Sequence, residues 1–451
     1  MNKLRVASFG IRGFVGESLP PVAVIDFAAA FATYLDGGRI VLGRDTRGSS
    51  PMLHAAVTAG LLSAGCEVLD LGICPTPLLQ YSTQPYAAAG ALSISGGHNG
   101  AGWNSLTLIA ADGAFLDPVS GEAVLDHFHA RTFRKCGARD IGTVVPMRDY
   151  APAYFAALAE QVNVAAIEQA GFTVLIDPVG GAGSPFLEAF ARTVGVQLVP
   201  INARPSTYLA REPEPRPRSA LPMASFIRYV KGDVGFVCSS DMGRMSVVTE
   251  SGEPASEEYT LPLIADHLLP KRSGPLVTNI CTTRTVDDVA ARHRAPLIKT
   301  RVGQAYVMDA CTDVQGVLGG EGSGSVAVPT FSQGFDGFLM IALLLEAMAE
   351  SGATVSALLE QLPRYAIVKR QVDSASREAY RALDAVRDAA DFIRDGTVDH
   401  VDGIRVDWED GWVHVRTSRT QQLVRVIAEA KDEAVAHARA AGAVQLIQQA
   451  L

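Results

Sequence analysis

Short apolar segments alternate with longer amphipathic or alanine-rich segments along most of the chain. The compact apolar runs are typical of buried parallel strands, and the segments between them have the length and pattern of helices. The first series predicts a helix over 22–35, a strand over 39–43, a helix over 50–64 with Ser49 or Ser50 as its cap, and a strand over 67–71. This order of elements indicates an α/β fold with largely parallel sheets.

Two further series repeat this pattern and begin near residues 150 and 253. The second predicts a helix over 151–161, a strand over 172–176, a turn over 177–183, a helix from Pro185 and a strand over 196–200. The third predicts a helix over 257–268, a strand over 276–279, a helix over 286–292, a strand over 316–319 and a helix over 337–351. Three series of about 100 residues each indicate an internal structural repeat, although they share no strong sequence identity.

The C-terminal region has a different pattern. A polar helix over 376–390 precedes two strand-like segments, 403–408 and 412–416, which an Asp-Gly turn joins into a hairpin, and a final helix begins near residue 432. The sequence therefore predicts three similar mixed α/β domains and a smaller α+β domain. We place these domains at 1–148, 149–252, 253–364 and 365–451.

Composition limits the classes of protein to which the chain can belong. It has 451 residues, 48% of them hydrophobic and 19% charged, and a net charge of −9. No apolar run reaches the roughly 20 residues that span a membrane, and the N-terminus leads directly into a strand pattern, so we expect a cytoplasmic protein without membrane contact. The acidic balance argues against broad nucleic-acid binding but allows a local basic pocket for a phosphate. The six cysteines are scattered among apolar neighbours, which indicates reduced core thiols rather than disulfides or zinc ligands.

One glycine-rich polar segment has the composition of an active-site loop. Residues 91–94 are apolar and are interpreted as a short buried strand that leads into this loop. Glycine permits backbone conformations that are closed to other residues, and loops commonly carry function. The glycines and polar residues of the segment are Ser95, Gly96, Gly97, His98, Asn99, Gly100, Gly102 and Asn104.

This segment resembles the catalytic loop of the α-D-phosphohexomutase superfamily, whose members move a phosphate between the 1- and 6-positions of a sugar. The family's loop reads Thr-Ala-Ser-His-Asn-Pro, followed by three residues and Asn-Gly-x-Lys. His98, Asn99 and Asn104 fall in register with that pattern. Further motifs of the family occur in the family's order at 8–13, 41–50, 71–77, 211–215, 299–303 and 320–324. The resemblance therefore covers essentially the whole chain.

On the substrate side, the resemblance implies that the binding loops are kept. The family's Gly-Glu-x-Ser-Gly loop contacts sugar hydroxyls, and its phosphate loop corresponds here to residues 416–422, where guanidinium and hydroxyl groups suit a phosphate dianion. The expected ligand is a hexose or aminohexose phosphate, and these loops do not decide which sugar. The residues implied in substrate binding are Glu321, Ser323, Arg211, Arg416, Ser418, Arg419, Thr420 and Arg425.

At the chemical centre, this chain departs from the family. The family's phosphorylated serine corresponds to Gly97, which has no side chain to phosphorylate. The family's metal loop reads Asp-Gly-Asp-Ala-Asp-Arg, and two of its three carboxylates correspond to Ser239 and Gly243. Asp241 remains, and one carboxylate holds Mg²⁺ poorly. We therefore expect no cofactor, or at most weakly held Mg²⁺.

Two arginines of the family's motifs, Arg12 and Arg244, remain as catalytic candidates. The family's lysine in the catalytic loop is replaced by Thr107, and the histidine that ends its sugar loop is replaced by Ser325. From the order of the motifs we expect the loops to converge on a central cleft between the four domains. These loops are 95–104, 239–244, 320–324 and 416–420.

Two interpretations of these changes remain open. In the first, the chain is a phosphosugar-binding family member that has lost conventional mutase chemistry and serves as a sensor, a scaffold or the partner subunit of another protein. Loss of a covalent nucleophile costs on the order of 10⁶ in rate, which favours this interpretation. In the second, the chain is an active phosphoglucomutase-like or phosphomannomutase-like phosphotransferase, or another sugar-phosphate enzyme, with a rebuilt centre that uses Ser95 or His98. Neither interpretation determines whether the chain forms a homo-oligomer.

Overall fold

The computed structural model describes residues 4–7, 9–374, 378–418 and 423–451. The strands form four sheets, one in each of four successive parts of the chain. Three similar α/β domains and a smaller C-terminal domain are therefore present, as the sequence predicts. No helix in these ranges is long and apolar enough to cross a bilayer.

The first domain contains a sheet of seven strands. Its strands are β1 (Arg5–Ala7), β2 (Gly10–Phe14), β3 (Arg39–Arg44), β4 (Glu67–Ile73), β5 (Gly90–Ile94), β6 (Trp103–Ala110) and β7 (Thr143–Pro146), and its helices are α1 (Pro21–Tyr34), α2 (Ser50–Ser63), α3 (Thr76–Ser82) and α4 (Pro118–Ala130). The strand order is β1-β2-β6-β5-β3-β4-β7. The two helices and two strands predicted before residue 72 lie where the apolar periodicity places them.

The second and third domains each contain a four-stranded sheet. The second has α5 (Ala151–Ala159), α6 (Val164–Ala170), β8 (Thr173–Asp177), α7 (Leu187–Val194), β9 (Gln197–Pro200), α8 (Pro217–Val230), β10 (Val234–Cys238) and β11 (Met245–Val248). The third has α9 (Thr260–Leu268), β12 (Leu276–Asn279), α10 (Thr285–Arg292), β13 (Leu297–Thr300), α11 (Gln304–Val314), β14 (Leu318–Glu321), β15 (Ser325–Ala327), α12 (Gly337–Ser351) and α13 (Val355–Glu360).

The same arrangement of four strands occurs in all three domains. The orders are β6-β5-β3-β4, β11-β10-β8-β9 and β15-β14-β12-β13, and each has one antiparallel hairpin followed by two parallel pairs. Of the four loops that the sequence predicts to converge, 416–420 belongs to the C-terminal domain and lies partly outside the described residues. The other three, 95–104, 239–244 and 320–324, contain the hairpin loops 95–102, 239–244 and 322–324 of this repeat. The repeat therefore explains their convergence, because each loop leaves the carboxyl end of the equivalent parallel strand.

Two local predictions hold only in part. Ser49 occupies the N-cap position of α2, but its side chain makes no capping hydrogen bond and instead accepts one from Asn104 Nδ2 at 3.0 Å. The strand predicted over 316–319 lies at Leu318–Glu321, because Gly316 still belongs to the turn after α11, where its N–H donates to Cys311 O at 2.7 Å. In both places a tertiary or turn contact overrides the local pattern.

The fourth domain is a five-stranded antiparallel sheet in the order β16-β20-β19-β18-β17. Its elements are β16 (Ala366–Asp373), α14 (Ala379–Arg387), β17 (Thr397–Asp399), β18 (Ile404–Trp408), β19 (Gly411–Thr417), β20 (Leu423–Ala430) and α15 (Glu433–Ala450). The predicted hairpin corresponds to β18 and β19. The predicted helix over 376–390 begins among residues outside the described ranges, and α14 ends three residues earlier than that prediction.

The packing joins the first three domains more tightly than it joins the fourth. One continuous cluster of buried apolar side chains runs through the first three domains, whereas the fourth has a separate core between its sheet and its helices. Polar contacts hold the fourth domain against the third. For example, Arg284 donates to the carbonyl oxygens of Trp408 and Glu409 at 3.1 and 2.8 Å, and Lys369 pairs with Glu258 at 2.7 Å.

Candidate functional site

A cavity of about 490 Å³ lies where the four domains meet, and each domain contributes residues to its wall. An adjoining cavity of about 150 Å³ is lined by Ser95 and Gly97. Ser323 and Arg211 line neither cavity, and Arg419 and Thr420 lie outside the described residues. The residues predicted from sequence that line the larger cavity are Arg12, His98, Asp241, Arg244, Glu321, Arg416, Ser418 and Arg425.

The loop over 95–99 is anchored by a buried ion pair between Asp45 and Arg47, whose side chains are each 1% exposed. Asp45 Oδ2 accepts hydrogen bonds from Ser95 Oγ at 3.0 Å and from Gly96 N at 3.1 Å. Arg47 Nη2 donates to the carbonyl oxygen of Gly97 at 3.0 Å. Hydrogen bonds to a charged group are strong where the local dielectric is low. The buried Asp45–Arg47 pair therefore holds the loop backbone firmly.

Gly97 lies at the centre of this loop, and a side chain at this position would point toward the second domain. Its φ is +53°, in the left-handed region that glycine adopts without strain. A Cβ placed there would lie 3.0 Å from Asp241 Oδ2. The position that the family resemblance assigns to the nucleophile therefore does face the remaining carboxylate of the metal loop, but carries no reactive group.

Ser95 is engaged in holding the loop together. Its hydroxyl donates to Asp45, and its oxygen accepts a hydrogen bond from Gly97 N at 3.0 Å. Asp45 also accepts hydrogen bonds from Arg47 and Ser50, so the serine hydroxyl belongs to the network that fixes the loop. This geometry favours a structural role for Ser95.

His98 lines both cavities and is surrounded by positive charge. Burial, together with the nearby guanidinium groups of Arg244, Arg12 and Arg425, holds the pKa of His98 well below its usual value. The imidazole is therefore neutral at pH 7 and keeps one nitrogen lone pair for a hydrogen bond or for a proton.

The loop over 239–244 offers one carboxylate to the cavity. Asp241 Oδ1 accepts hydrogen bonds from Ser239 Oγ at 2.6 Å and from Gly243 N at 3.2 Å. A single carboxylate with one oxygen already engaged does not fit Mg²⁺, which prefers several oxygen ligands in octahedral geometry.

Elsewhere in the described ranges, the only group of three His, Cys, Asp or Glu side chains close enough to share a metal ion is His267, Glu346 and Glu350. Lys271 pairs with the two glutamates at 3.3 and 2.7 Å. An ammonium group already supplies the positive charge that this group requires.

Guanidinium groups dominate the charge of the cavity. Arg416 and Arg425 are directly opposite each other on β19 and β20, an arrangement of like charges that destabilises a sheet. Burial, and the positive charges of Arg5, Arg244 and Arg425, lower the pKa of Arg12 to about 10, so it remains charged at pH 7. Among the described residues, neither Arg12 nor Arg416 has a carboxylate partner. This concentration of unneutralised charge is suited to an anion.

Glu321 is held in place at the third-domain wall. It is 7% exposed, and its Oε1 accepts hydrogen bonds from Asn279 Nδ2 at 2.8 Å and from Gly303 N at 2.7 Å. Ser323, two residues further on, forms a hydrogen bond with Ser325 Oγ at 3.1 Å. The carboxylate is therefore presented to the cavity in a fixed orientation, whereas the serine hydroxyl is directed along the loop.

Arg211 forms part of the framework of the second domain. Its side chain is 7% exposed, its Nε donates to Asp177 Oδ2 at 2.9 Å, and its Nη2 donates to the carbonyl oxygens of Asp177 and Cys238. These bonds hold the loop after β8 against the end of β10, at a distance from the cavity wall.

Several wall residues were not predicted from the sequence. Gln304 directly follows the 299–303 motif but is not part of it. No local pattern distinguishes Gln80, whose position depends on the packing of α3. The unpredicted residues with polar or aromatic side chains in the wall are Arg5, Phe9, Gln80, Phe115, Gln304, Tyr306 and Phe335.

Family models match nearly the whole chain. The descriptions are "Phosphoglucomutase/phosphomannomutase, alpha/beta/alpha" domain I for residues 4–135, domain II for 152–252 and domain III for 256–365, and the C-terminal domain of the same family for 368–445.

Similar proteins extend over the full length. A "Phosphoglucomutase/phosphomannomutase" of Thermococcus kodakarensis is 33% identical over 100% of both chains, and a "Probable phosphoglucosamine mutase" of Thermococcus gammatolerans is 32% identical over 98% of both. The crystal structure of a phosphoglucomutase/phosphomannomutase family protein from Burkholderia thailandensis has a TM-score of 0.86 at 22% identity and covers 99% of this chain and 98% of its own. These matches agree in fold and in domain order.

Proposed function

The chain belongs to the phosphoglucomutase/phosphomannomutase family, and from this we propose that it binds a hexose or aminohexose phosphate in the central cavity without phosphoserine-dependent transfer. The named relatives are phosphohexomutases, which supports a phosphosugar as the ligand. A cytoplasmic location and any protein partner remain predictions from the sequence.

The observation that carries this proposal is that Arg12 and Arg416 line one cavity and that, among the described residues, neither is ion-paired to a carboxylate. Arg425 lies directly opposite Arg416 across two strands and adds positive charge to the same wall. Keeping such charges together is unfavourable unless an anion is bound, and a phosphate dianion accepts several charge-assisted hydrogen bonds at once. In this proposal, the phosphate contacts Arg416 and Ser418, and the sugar hydroxyls contact Glu321.

Transfer chemistry requires more than this binding. In-line phosphoryl transfer needs a positioned nucleophile and positive charge on the transferred group, commonly supplied by a metal ion. Gly97 supplies no nucleophile, and the donor set around Asp241 does not fit Mg²⁺. The arginines alone act on the ligand, by binding and orienting its phosphate.

Calorimetric titration with hexose 6-phosphates tests the binding. The wild-type protein should bind at least one of them with saturation below millimolar concentration. Arg416→Met should weaken that binding by about tenfold or more, because a hydrogen bond to a charged group contributes about 1.5–3 kcal/mol. Arg370→Met is the matched control, since Arg370 lies on β16 of the same sheet but outside the cavity wall. Equal affinities for the two variants would refute the proposal.

A second candidate function is phosphotransfer through His98, which the neutral imidazole beside the arginines favours. A neutral ring nitrogen can accept a phosphoryl group, and the protein would then carry an acid-labile phosphate after incubation with a hexose bisphosphate. Intact-mass spectrometry under neutral conditions distinguishes the two functions. We expect no added phosphoryl group on the wild-type protein, and a group that His98→Asn removes would support the second function.

A further inference from the structure

One face of the fourth-domain sheet carries both the cavity arginines and a lysine that reaches the third domain. Residues directly opposite each other on antiparallel strands share a face, as do residues two apart on one strand. Arg416 is opposite Arg425 of β20. Lys369 of β16 is opposite Ile427, two residues beyond Arg425. A contact made by Lys369 therefore helps to fix the sheet face that carries Arg416.

Two glutamates of the third domain share this lysine. Lys369 Nζ lies 2.9 Å from Glu257 Oε1 and 2.7 Å from Glu258 Oε1. The side chains of Glu257 and Glu258 are 10% and 4% exposed. Among the described residues, no other ion pair joins the fourth domain to the rest of the chain. The ion-paired contact between the two domains thus places one positive charge against two negative charges.

Glu258 also contacts the loop that presents Glu321 to the cavity. Its Oε2 accepts a hydrogen bond from Thr283 N at 3.2 Å. A Cβ at Gly322, the residue after Glu321, would overlap this oxygen, so glycine at that position admits the carboxylate. Glu258 therefore lies between the loop of Glu321 and the lysine of the fourth domain. It connects the wall that the proposed function assigns to the sugar with the wall that it assigns to the phosphate.

The charges around Glu258 do not balance. Glu429 of β20 adds a third carboxylate and is fully buried. Burial raises the pKa of Glu258 from its ordinary value of 4.5 to about 7, because burial and the charges of Glu257 and Glu429 outweigh the effect of Lys369. The carboxylate of Glu258 therefore changes its charge near neutral pH.

The other titratable groups around Glu258 leave this behaviour intact. Burial raises the pKa of Cys281 to about 12 and raises that of Tyr259, so both stay neutral at pH 7. Burial lowers the pKa of Lys369, but the two glutamates raise it further, and the ammonium stays charged. Burial also raises the pKa of Glu429, so proton uptake by this carboxylate acts in the same direction as uptake by Glu258.

Separation of the fourth domain from the third changes the surroundings of Glu258. The carboxylate loses Lys369 and Glu429 and gains water, so its pKa returns toward 4.5. The docked state therefore binds the proton more tightly than the undocked state, and docking weakens as the pH rises through about 7. These two pKa values change the docking equilibrium about tenfold between about pH 6 and pH 8.

We propose that Glu258 is a positioning residue that links proton uptake to the docking of the fourth domain, and so holds Arg416 and Glu321 across the cavity more firmly at pH 6 than at pH 8. This inference goes beyond the proposed function, because docking takes place without a ligand.

Hydrogen–deuterium exchange of the ligand-free protein, measured by mass spectrometry, tests this link. Arg284 N donates to Glu429 Oε1 across the domain boundary at 2.7 Å, so a peptide that contains Arg284 reports undocking. Its protection in the wild type, divided by that in Glu258→Gln at the same pH, should fall about tenfold from pH 6 to pH 8, because glutamine stays neutral. Glu253→Gln, at an exposed position in the same segment, is the matched control and should follow the wild type. A ratio that does not change with pH would overturn the inference.

Lys369→Met tests the contact from the fourth domain. It leaves the glutamates without their counter-charge, so protection of the Arg284 peptide should fall below that of the wild type, and more so at pH 8 than at pH 6. Arg370→Met is the matched control, since Arg370 is the next residue of β16 and points to the other face of the sheet. Retained protection of peptides from α15 shows that the fourth domain itself is folded. Equal protection of the Arg284 peptide in the two variants would overturn the inference.

Calorimetric titration with glucose 6-phosphate and mannose 6-phosphate separates this inference from the proposed function. The affinity of the wild type, divided by that of Glu258→Gln at the same pH, should fall from pH 6 to pH 8, and this ratio cancels the ionisation of the ligand. A constant ratio would refute the role of Glu258 in binding. If neither sugar phosphate binds, the proposed function fails for these ligands, and the exchange ratio alone confirms or overturns the inference.

Discussion

The loop around Gly97 and the wall around Arg416 border the same cavity, but their polar groups are satisfied in opposite ways. In the loop, Asp45, Arg47 and Ser95 bond to each other and to the backbone. In the wall, Arg416 faces Arg425 across two strands, and no carboxylate of the described residues forms an ion pair with Arg416. A network of opposite charges stabilises the fold whether or not a ligand binds, whereas a cluster of like charges gains stability only with an anion. The loop keeps the hydrogen bonds that hold its backbone but has no reactive group at residue 97. The wall keeps arginines that can bind an anion, and the repulsion between them lowers the stability of the fold in the absence of a ligand.

The sharpest test of this difference is Arg47→Met. It leaves the carboxylate of Asp45 buried without its counter-charge, so the free energy of unfolding should fall by about 3–5 kcal/mol. Chemical denaturation followed by circular dichroism measures this change. Arg39→Met is the control at the start of β3, the strand that precedes Asp45 and Arg47, because the Arg39–Glu67 pair is exposed and should contribute at most about 1 kcal/mol. Similar losses in both variants would show that the ion pair does not hold the loop.

Arg12→Met should have the opposite effect on stability. Its positive charge is partly buried among Arg5, Arg244 and Arg425, and its removal relieves their repulsion. We expect the free energy of unfolding to rise by up to about 1 kcal/mol in the absence of ligand, while the affinity for a hexose phosphate falls. The same denaturation experiment, repeated with saturating ligand, should reverse the order of stability of variant and wild type. If Arg12→Met instead lowered the free energy of unfolding without ligand, Arg12 would stabilise the fold in the way that Arg47 does.

The sequence predicted which loops form the site better than it predicted which partners their polar side chains bond to. Repeated βαβ patterns and the ordered motifs were enough to bring 95–102, 239–244 and 322–324 together, because equivalent hairpin loops leave equivalent strand ends. The apolar periodicity also located α1, α2 and β4 closely. The polar assignments were less secure, since a motif specifies a residue type and not the partner that its side chain finds.

Arg211 and Gln80 illustrate that limit in opposite directions. Arg211 belongs to a motif associated with substrate, but its guanidinium bonds to Asp177 and to the carbonyl oxygen of Cys238. Gln80 belongs to no motif, yet it lines the cavity because α3 packs against the turn at Gly113 and the segment at Gln333. Both outcomes depend on contacts between residues far apart in sequence, and no local pattern encodes them.

An effect of about the same small size is expected from returning a side chain to the centre of the loop. Gly97→Ser places a Cβ at a φ of +53°, which costs about 1–2 kcal/mol for a residue other than glycine. The new hydroxyl can donate to Asp241 Oδ2, which would lie 3.0 Å from the Cβ, and so offset part of that cost. We expect a net loss of about 1 kcal/mol in the free energy of unfolding. Gly100→Ser is the control within the same loop, because a Cβ there meets open space at an ordinary φ.

The chemical outcome of Gly97→Ser distinguishes a site that lacks only its nucleophile from one that also lacks its metal ligands. If the serine alone were missing, the variant incubated with a hexose bisphosphate and Mg²⁺ would gain one phosphoryl group by intact mass. We expect no such gain, because residues 239 and 243 supply no carboxylate and Asp241 alone does not fit the metal. Adding Ser239→Asp and Gly243→Asp to the same variant should allow Mg²⁺ to bind and phosphorylation to appear. Phosphorylation of the single variant would mean that the arginines of the wall supply enough positive charge for phosphoryl transfer. In that case the loop would lack only the side chain at residue 97.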